Sequence, residues 1–356
     1  MAYTIIDNPS DYFRIKLYTG NNNAQTIAWD ETNTNMQPNM LWIKSRAGAS
    51  VFDHVLGDSV RGGGKYSIPN KTDAEVSNNN VINTFNTNGF SVGGATFVSE
   101  GSRTYVSWGW KAETSFTNDA SGTGIGSIDS TGSVNTDAGF SIVSYTGTGS
   151  AGTIKHGLST APKMIIQKNR DETQPWWTYV ESIGAGGQLR LNATNAAGSD
   201  GATLWNSTAP TSSVFSVGDN TGTNGSADKC IAYCFAEKQG YSKFGSYTGN
   251  GNADGTFVYT GFKPAFVMVK RSSGTGHWMM LDNKRSASGG FNVLGERLKA
   301  NANDAGATDV YMDFLSNGFK LRNTATSWNA SGSTYIYMAF AENPFVTSTG
   351  VPATAR

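Results

Sequence analysis

One closing phrase is written three times along the chain, and that recurrence constrains the fold more than any other feature. "TYVSWGWKA" (104–112), "KCIAYCFAE" (229–237) and "TYIYMAFAE" (334–342) align without a gap. Alternate positions carry large groups: Val106, Trp108 and Trp110; Ile231, Tyr233 and Phe235; Ile336, Met338 and Phe340. Between them stand mostly small ones, Ser107 and Gly109, Ala232 and Cys234, then Ala339. A period of two is a strand. Apolar groups on both of its faces place that strand in the middle of a packed β-structure.

Three further phrases recur in the same order. An opening phrase reads "IKLYTG" (15–20), "IVSYTG" (142–147) and "FGSYTG" (244–249). A middle phrase reads "PNMLWIKSR" (38–46), "PKMIIQKNR" (162–170) and "PAFVMVKRS" (264–272), with Lys44, Lys168 and Lys270 six residues after the proline. Proline at the head of a strand needs no ladder partner there. "NTNGFSVGG" (86–94) is matched by "LSNGFKLRN" (315–323), with "VFSVGD" (214–219) in the second copy.

The order divides the chain into a first repeat at 1–112, a second at 139–238, a third at 239–343 and a tail at 344–356. Between the first two, 113–138 is rich in Gly, Ser and Thr and reads as a linker or an extended loop. The join "KQGYSK" is short, so copies two and three form a rigid pair and copy one moves on the linker. Phe345 and Val346 have no obvious cover in so short a tail, which is expected to lie against a neighbouring chain.

Within a copy, apolar runs alternate with Gly/Asn/Thr turns at the spacing of an all-β sandwich. Composition agrees. With 43 Gly, 15% charged and 12% aromatic residues, turn formers and β formers dominate. The stretch 289–303 reads either as a helix, with Leu294, Leu298 and Ala302 at spacing four, or as a strand and turn.

Charge excludes one class of partner. Lys plus Arg and Asp plus Glu are 27 each, so no basic stripe tracks a phosphate backbone and no nucleic acid is expected. No stretch approaches the length of a membrane span, and the start shows no secretory signal. Cys230 and Cys234 would lie on one strand face about 13 Å apart, too far for a disulfide, and read as buried thiols.

The ordered set of "YTG", "P…(I/V)K(N/S)R", "NGF" and "YVSWGWKA" or "YMAFAENPF" resembles a repeat in virion proteins of marine tailed bacteriophages, many described as tail-fibre or concanavalin-A-like proteins. The resemblance covers nearly the whole chain. It implies tandem concanavalin-A-like or jelly-roll β-sandwiches on a virion surface, non-enzymatic, contributing to host attachment as a tail fibre or tip. It also implies a homo-oligomer, a trimer like such fibres, touching other virion proteins; a host surface glycan is the partner that aromatic rings beside amides and hydroxyls suggest. Capsid or tail decoration with a purely structural role is the alternative, and a glycan-cleaving enzyme a minor one.

Residue chemistry agrees with a non-enzymatic reading. His54, His156 and His277 do not recur between copies, and His54 beside Asp53 points to the opposite strand face. Hydrolysis of a glycoside needs two acids about 5–10 Å apart, and the isolated Asp313, Glu181 and Asp282 are the positions to inspect. Asn250, Asn252 and Asp254 alternate before a glycine, as in a calcium loop or a polar turn. No cofactor is expected. Trp176, beside a core Trp177, and Trp205 and Trp328, in matching Asn/Ser/Thr-rich surroundings, are the candidate ligand-binding rings.

Overall fold

A computed structural model describes residues 3–46, 52–285 and 293–352. Among the described residues the structure is predominantly β, and its helices are turns of three to five residues. In each copy the closing strand lies between the opening and middle strands of a large antiparallel sheet. The first copy orders Phe13–Thr19, Thr104–Trp110, Met40–Ser45 and Val55–Asp58. The second repeats this with Phe140–Thr146, Lys229–Phe235, Met164–Asn169, Trp177–Val180 and Leu189–Arg190. The third uses Ser242–Thr248, Thr334–Pro344, Phe262–Arg271, Trp278–Asp282 and Val293–Lys299. Registers coincide: Phe13 faces Trp110, Phe140 faces Phe235 and Ser242 faces Phe340.

Smaller sheets cover the outer faces. The first is Gln25–Ala28, Gly89–Val92 and Ile82–Asn86, and the second is Gly152–Lys155 with Val214–Val217. In the third copy, Phe257–Tyr259, Gly318–Leu321 and Ala307–Leu315 continue edge to edge from the large sheet. The glycine of each "YTG" is required by close approach. A Cβ on Gly20, Gly147 or Gly249 would stand 2.2, 2.3 or 2.4 Å from the carbonyl oxygen of Glu100, Gly225 or Ala330.

The two faces of each closing strand enter different cores. The small-residue face packs against its own copy's small sheet, in three separate clusters. There Cys230 and Cys234 are buried, free thiols. The large-residue face of all three copies enters one shared cluster. At its centre the ring centroids of Trp110, Phe235 and Phe340 lie 6.5, 6.1 and 5.6 Å apart around a triangle. Three copies in one chain thus bury what each sheet would otherwise expose.

Polar contacts lock this arrangement in one cyclic sense. His54, Trp176 and Trp278 occupy one register position, opposite the recurring lysine. Each reaches a backbone carbonyl of the adjoining copy: His54 Nε2 lies 2.9 Å from Lys299 O, Trp176 Nε1 donates to Ile68 O at 3.0 Å, and Trp278 Nε1 donates to Arg190 O at 2.9 Å. Their own N–H groups are each held at 2.9 Å by Asn70, Asn192 and Asn301. A second contact follows the same sense. Tyr233 donates to Asp58 at 2.8 Å, and Trp108 Nε1 donates to Asp282 at 3.0 Å. Both carboxylates are buried against an arginine three residues on, Arg61 and Arg285, each at 2.6 Å. The third interface is apolar instead, with Val180 and Met338 in the shared cluster.

The recurring lysines are fully buried. Lys44 Nζ donates to Ser45 O and to Asn303 O of the third copy, both at 3.0 Å. Lys168 Nζ donates to Asn169 O at 2.7 Å and Glu172 O at 3.0 Å, and Lys270 Nζ to Thr194 O of the second copy at 3.3 Å. Burial holds all three amines down to about 8.

Three expectations are corrected. The run 113–138 is not a linker: Thr114–Asn118 and Ser130–Asn135 pair with each other and add to the second copy's sheet. Thr and Ser supplied the β preference that the Gly content masked. Copy one does not ride free, since its rings and Asp58 are bound into the shared core. The tail folds on its own chain: the Phe345 ring lies 6.3 Å from that of Tyr3, and Ser348 N donates to Asp7 at 2.6 Å. Of the stretch with two readings, Val293–Lys299 is a strand, while 289–292 lie outside the described residues, as do 353–356 of the tail. Among the described residues no helix is long and apolar enough to cross a membrane.

Candidate functional site: a polar groove on the second copy

In copies one and three the opening strand is the edge of its large sheet. In copy two the added hairpin extends that sheet by two strands and creates a groove of about 820 Å³. Thr117 faces Thr131 across one strand pair, and Thr131 faces Ser144 across the next. Adjacent strands lie about 4.8 Å apart, so three hydroxyls form a row. One step further along, Thr146 faces Lys229, and Asp119 and Asp129 line the groove just beyond the hairpin's strands.

The hydroxyls of Thr117, Thr131, Ser144 and Thr146 make no hydrogen bond among the described residues, and all but the half-buried Ser144 are exposed. The two carboxylates are partly engaged. Asp119 Oδ1 accepts from Gly122 N at 3.0 Å and Asp129 Oδ1 from Ala120 N at 2.8 Å, which fixes the turn and leaves each Oδ2 as an acceptor. Hydrogen bonds from Ser121 and Gly122 hold the Asp119 carboxyl below its usual range. Arg170 closes one end, its guanidinium bound to Glu75 of the first copy at 2.8 and 2.9 Å. The floor under Thr131, Ser144 and Thr146 is strand interior whose backbone groups are already paired, and Thr117 stands on the edge strand, paired on one side. Chemically, the site offers hydroxyls, carboxylate acceptors and one ammonium, with no exposed ring.

The sequence pointed elsewhere. Trp176, Trp205 and Trp328 are 0, 2 and 1% exposed, so none presents a face to a ligand. Trp176 holds the register position equivalent to Trp278, and its reading as a ligand-binding ring is overturned by the interlock with Ile68. Trp205 donates to Gly187 O at 3.1 Å, and Trp328 stacks on Tyr311 with centroids 5.2 Å apart.

The three acids singled out are not brought together. Asp282 is committed to Arg285 and Trp108 inside the shared core. Glu181 pairs with Lys163 on the surface. Asp313 lies 3.5 Å from Arg322, and burial raises its carboxyl. The oxygens of the loop at Asn250–Asp254 are engaged: Asn252 N donates to Asn250 Oδ1 at 3.0 Å, Asp254 N to Asn252 Oδ1 at 2.9 Å, and the Asp254 carboxylate pairs with Lys320. Among the described residues no group of three His, Cys, Asp or Glu side chains could hold a metal ion. The linker reading of 113–138 hides Thr117, Asp119, Asp129 and Thr131, while Ser144, Thr146, Arg170 and Lys229 carry no distinguishing signal in the sequence. The usable signal was the alternation in "TSFTN" and "STGSVN", with Phe116 facing inward opposite Gly132.

Fold and groove together define an all-β protein of three internally repeated lobes around one core, with a polar groove on one lobe. The chain belongs to a family known as a domain of unknown function (DUF7483), whose model matches residues 8–344. No curated protein matches it.

Proposed function

We propose that the chain is a non-enzymatic virion surface protein of a tailed bacteriophage, of tail-fibre or tip type, that contributes to host-surface attachment. Each copy is read as a concanavalin-A-like or jelly-roll sandwich. The observation that carries the proposal is the groove on copy two, where four hydroxyls without protein partners among the described residues line a wide, open face. That is a surface for holding a hydrated polymer, and the acids singled out from the sequence are each engaged with a cation elsewhere. Purified protein competing with particles for host cells tests it. Dose-dependent block of adsorption supports the reading. Adsorption unaffected by saturating protein and by antibodies against it refutes it.

The homotrimer expected from the resemblance is tested by light scattering, as three times 37.8 kDa. The tail's cover within its own chain and the shared core favour a single chain in solution, with other virion proteins as the assembly partners.

A further inference from the structure

We infer that the groove of the second copy binds a neutral glycan chain laid across the strands, over Thr117, Thr131, Ser144 and Thr146. This rests on the attachment reading and names the class of ligand. Each of these hydroxyls can both donate and accept, which suits a ligand whose every edge is hydroxyl. Asp119 and Asp129 offer acceptors to pairs of sugar hydroxyls, and Lys229 offers a donor at the other side.

Charge selects a neutral chain. The two carboxylates oppose Lys229 and an Arg170 that Glu75 already occupies, so the groove has no cationic surplus for uronate, sulfate or phosphate groups. A nucleic acid is disfavoured on the same ground. A peptide would add along an open strand edge or fill an apolar pocket; Thr114–Asn118 is the sheet's edge strand, but the row of hydroxyls runs across the strands on the sheet's face and not along that edge. The volume of about 820 Å³ falls within the range of small-ligand sites, room for a short oligosaccharide. Among the described residues neither other copy carries the hairpin that builds the site.

The test uses the full chain against a panel of neutral oligosaccharides and their uronate or sulfated counterparts, read by titration calorimetry or a glycan array. Neutral chains bind, and raising salt tenfold changes the affinity by less than about twofold, since few counterions are released. The double variant T117V/T131V keeps shape and strand preference, and weakens binding about tenfold or more with an unchanged melting curve. Undiminished binding by that variant, or a preference for the anionic counterparts, overturns the inference. So does wild-type protein that adsorbs to host cells yet binds no neutral glycan, an outcome that leaves attachment standing. Glycan binding at the groove without host adsorption instead sinks the attachment reading and keeps the site.

Discussion

Replacing Asp58 by valine removes the carboxylate that joins copies one and two. The side chain is fully buried, and it accepts from Arg61 Nε at 2.6 Å, Arg61 N at 2.9 Å and Tyr233 OH at 2.8 Å. Breaking a buried pair at one end typically costs about 3–5 kcal/mol, because the surviving charge loses its compensation. Here Glu75 remains 3.0 Å from Arg61 Nη1, which puts D58V near the lower end, about 3 kcal/mol. The third interface shows how to undo that cost, since it holds Val180 and Met338 at the corresponding positions, with Ile183 packed beside them. The triple variant D58V/R61I/Y233M gives the first interface the same apolar chemistry and leaves Glu75 its two bonds to Arg170. It is expected within about 1 kcal/mol of wild type, as for other buried pairs exchanged whole for apolar groups. Urea unfolding followed by tryptophan fluorescence measures both. A D58V cost below about 1 kcal/mol, or a triple variant as damaged as the single, refutes the reasoning.

Between pH 8 and 10 the three buried lysines contribute growing stability, opposed by the buried thiols and phenols, which burial raises. Lys44, Lys168 and Lys270 titrate near 8 when folded and near 10.5 when unfolded, so at these groups the unfolded chain binds more protons in that window and their contribution climbs, by about 1–2 kcal/mol per lysine. A neutral amine still has two N–H groups for its carbonyls, so the urea midpoint of wild type should gain on that of K44M between pH 8 and 10, and a constant difference between the two contradicts this. Acidification acts the other way: His156 is held down to about 4 by burial, with Leu158 N bound to its Nδ1 at 3.1 Å. Stability therefore drops as pH falls from 6.5 towards 4, and H156N should make that limb shallower, with the buried His54, also held well below its usual range, supplying part of the remainder. Gly147→Ala drives a Cβ to 2.3 Å from Gly225 O, and should cost about 2 kcal/mol in the same urea assay. An alanine variant of wild-type stability would deny the close approach.

Much of the architecture was legible because repetition amplified a weak signal. One strand with large groups on alternate positions is ambiguous, but three copies in step fixed the centre of each sheet. What the pattern could not reveal was where the large faces go. Trp110, Phe235 and Phe340 look alike whether each packs in its own sandwich or, as here, against one another. The interlocks stayed hidden for a related reason. His54 aligns with two tryptophans by register and shares with them only a ring N–H or ring nitrogen aimed at a carbonyl, and residue-type matching does not find that. Trp176, Trp205 and Trp328 misled because polar neighbours in sequence are not polar neighbours in space. The groove was missed through composition. Glycines in the turns of 113–138 outweighed the alternating Ser and Thr that make its strands.

Cryo-EM of the intact particle tests the central claim most directly, by showing where this chain sits and which way its second copy faces. The account predicts density for the three-lobed body at the host-proximal end of the tail, with the face of Thr117, Thr131, Ser144 and Thr146 turned to solvent. A position on the head lattice, or a groove closed against another virion protein, would contradict it and make the chain a decoration protein.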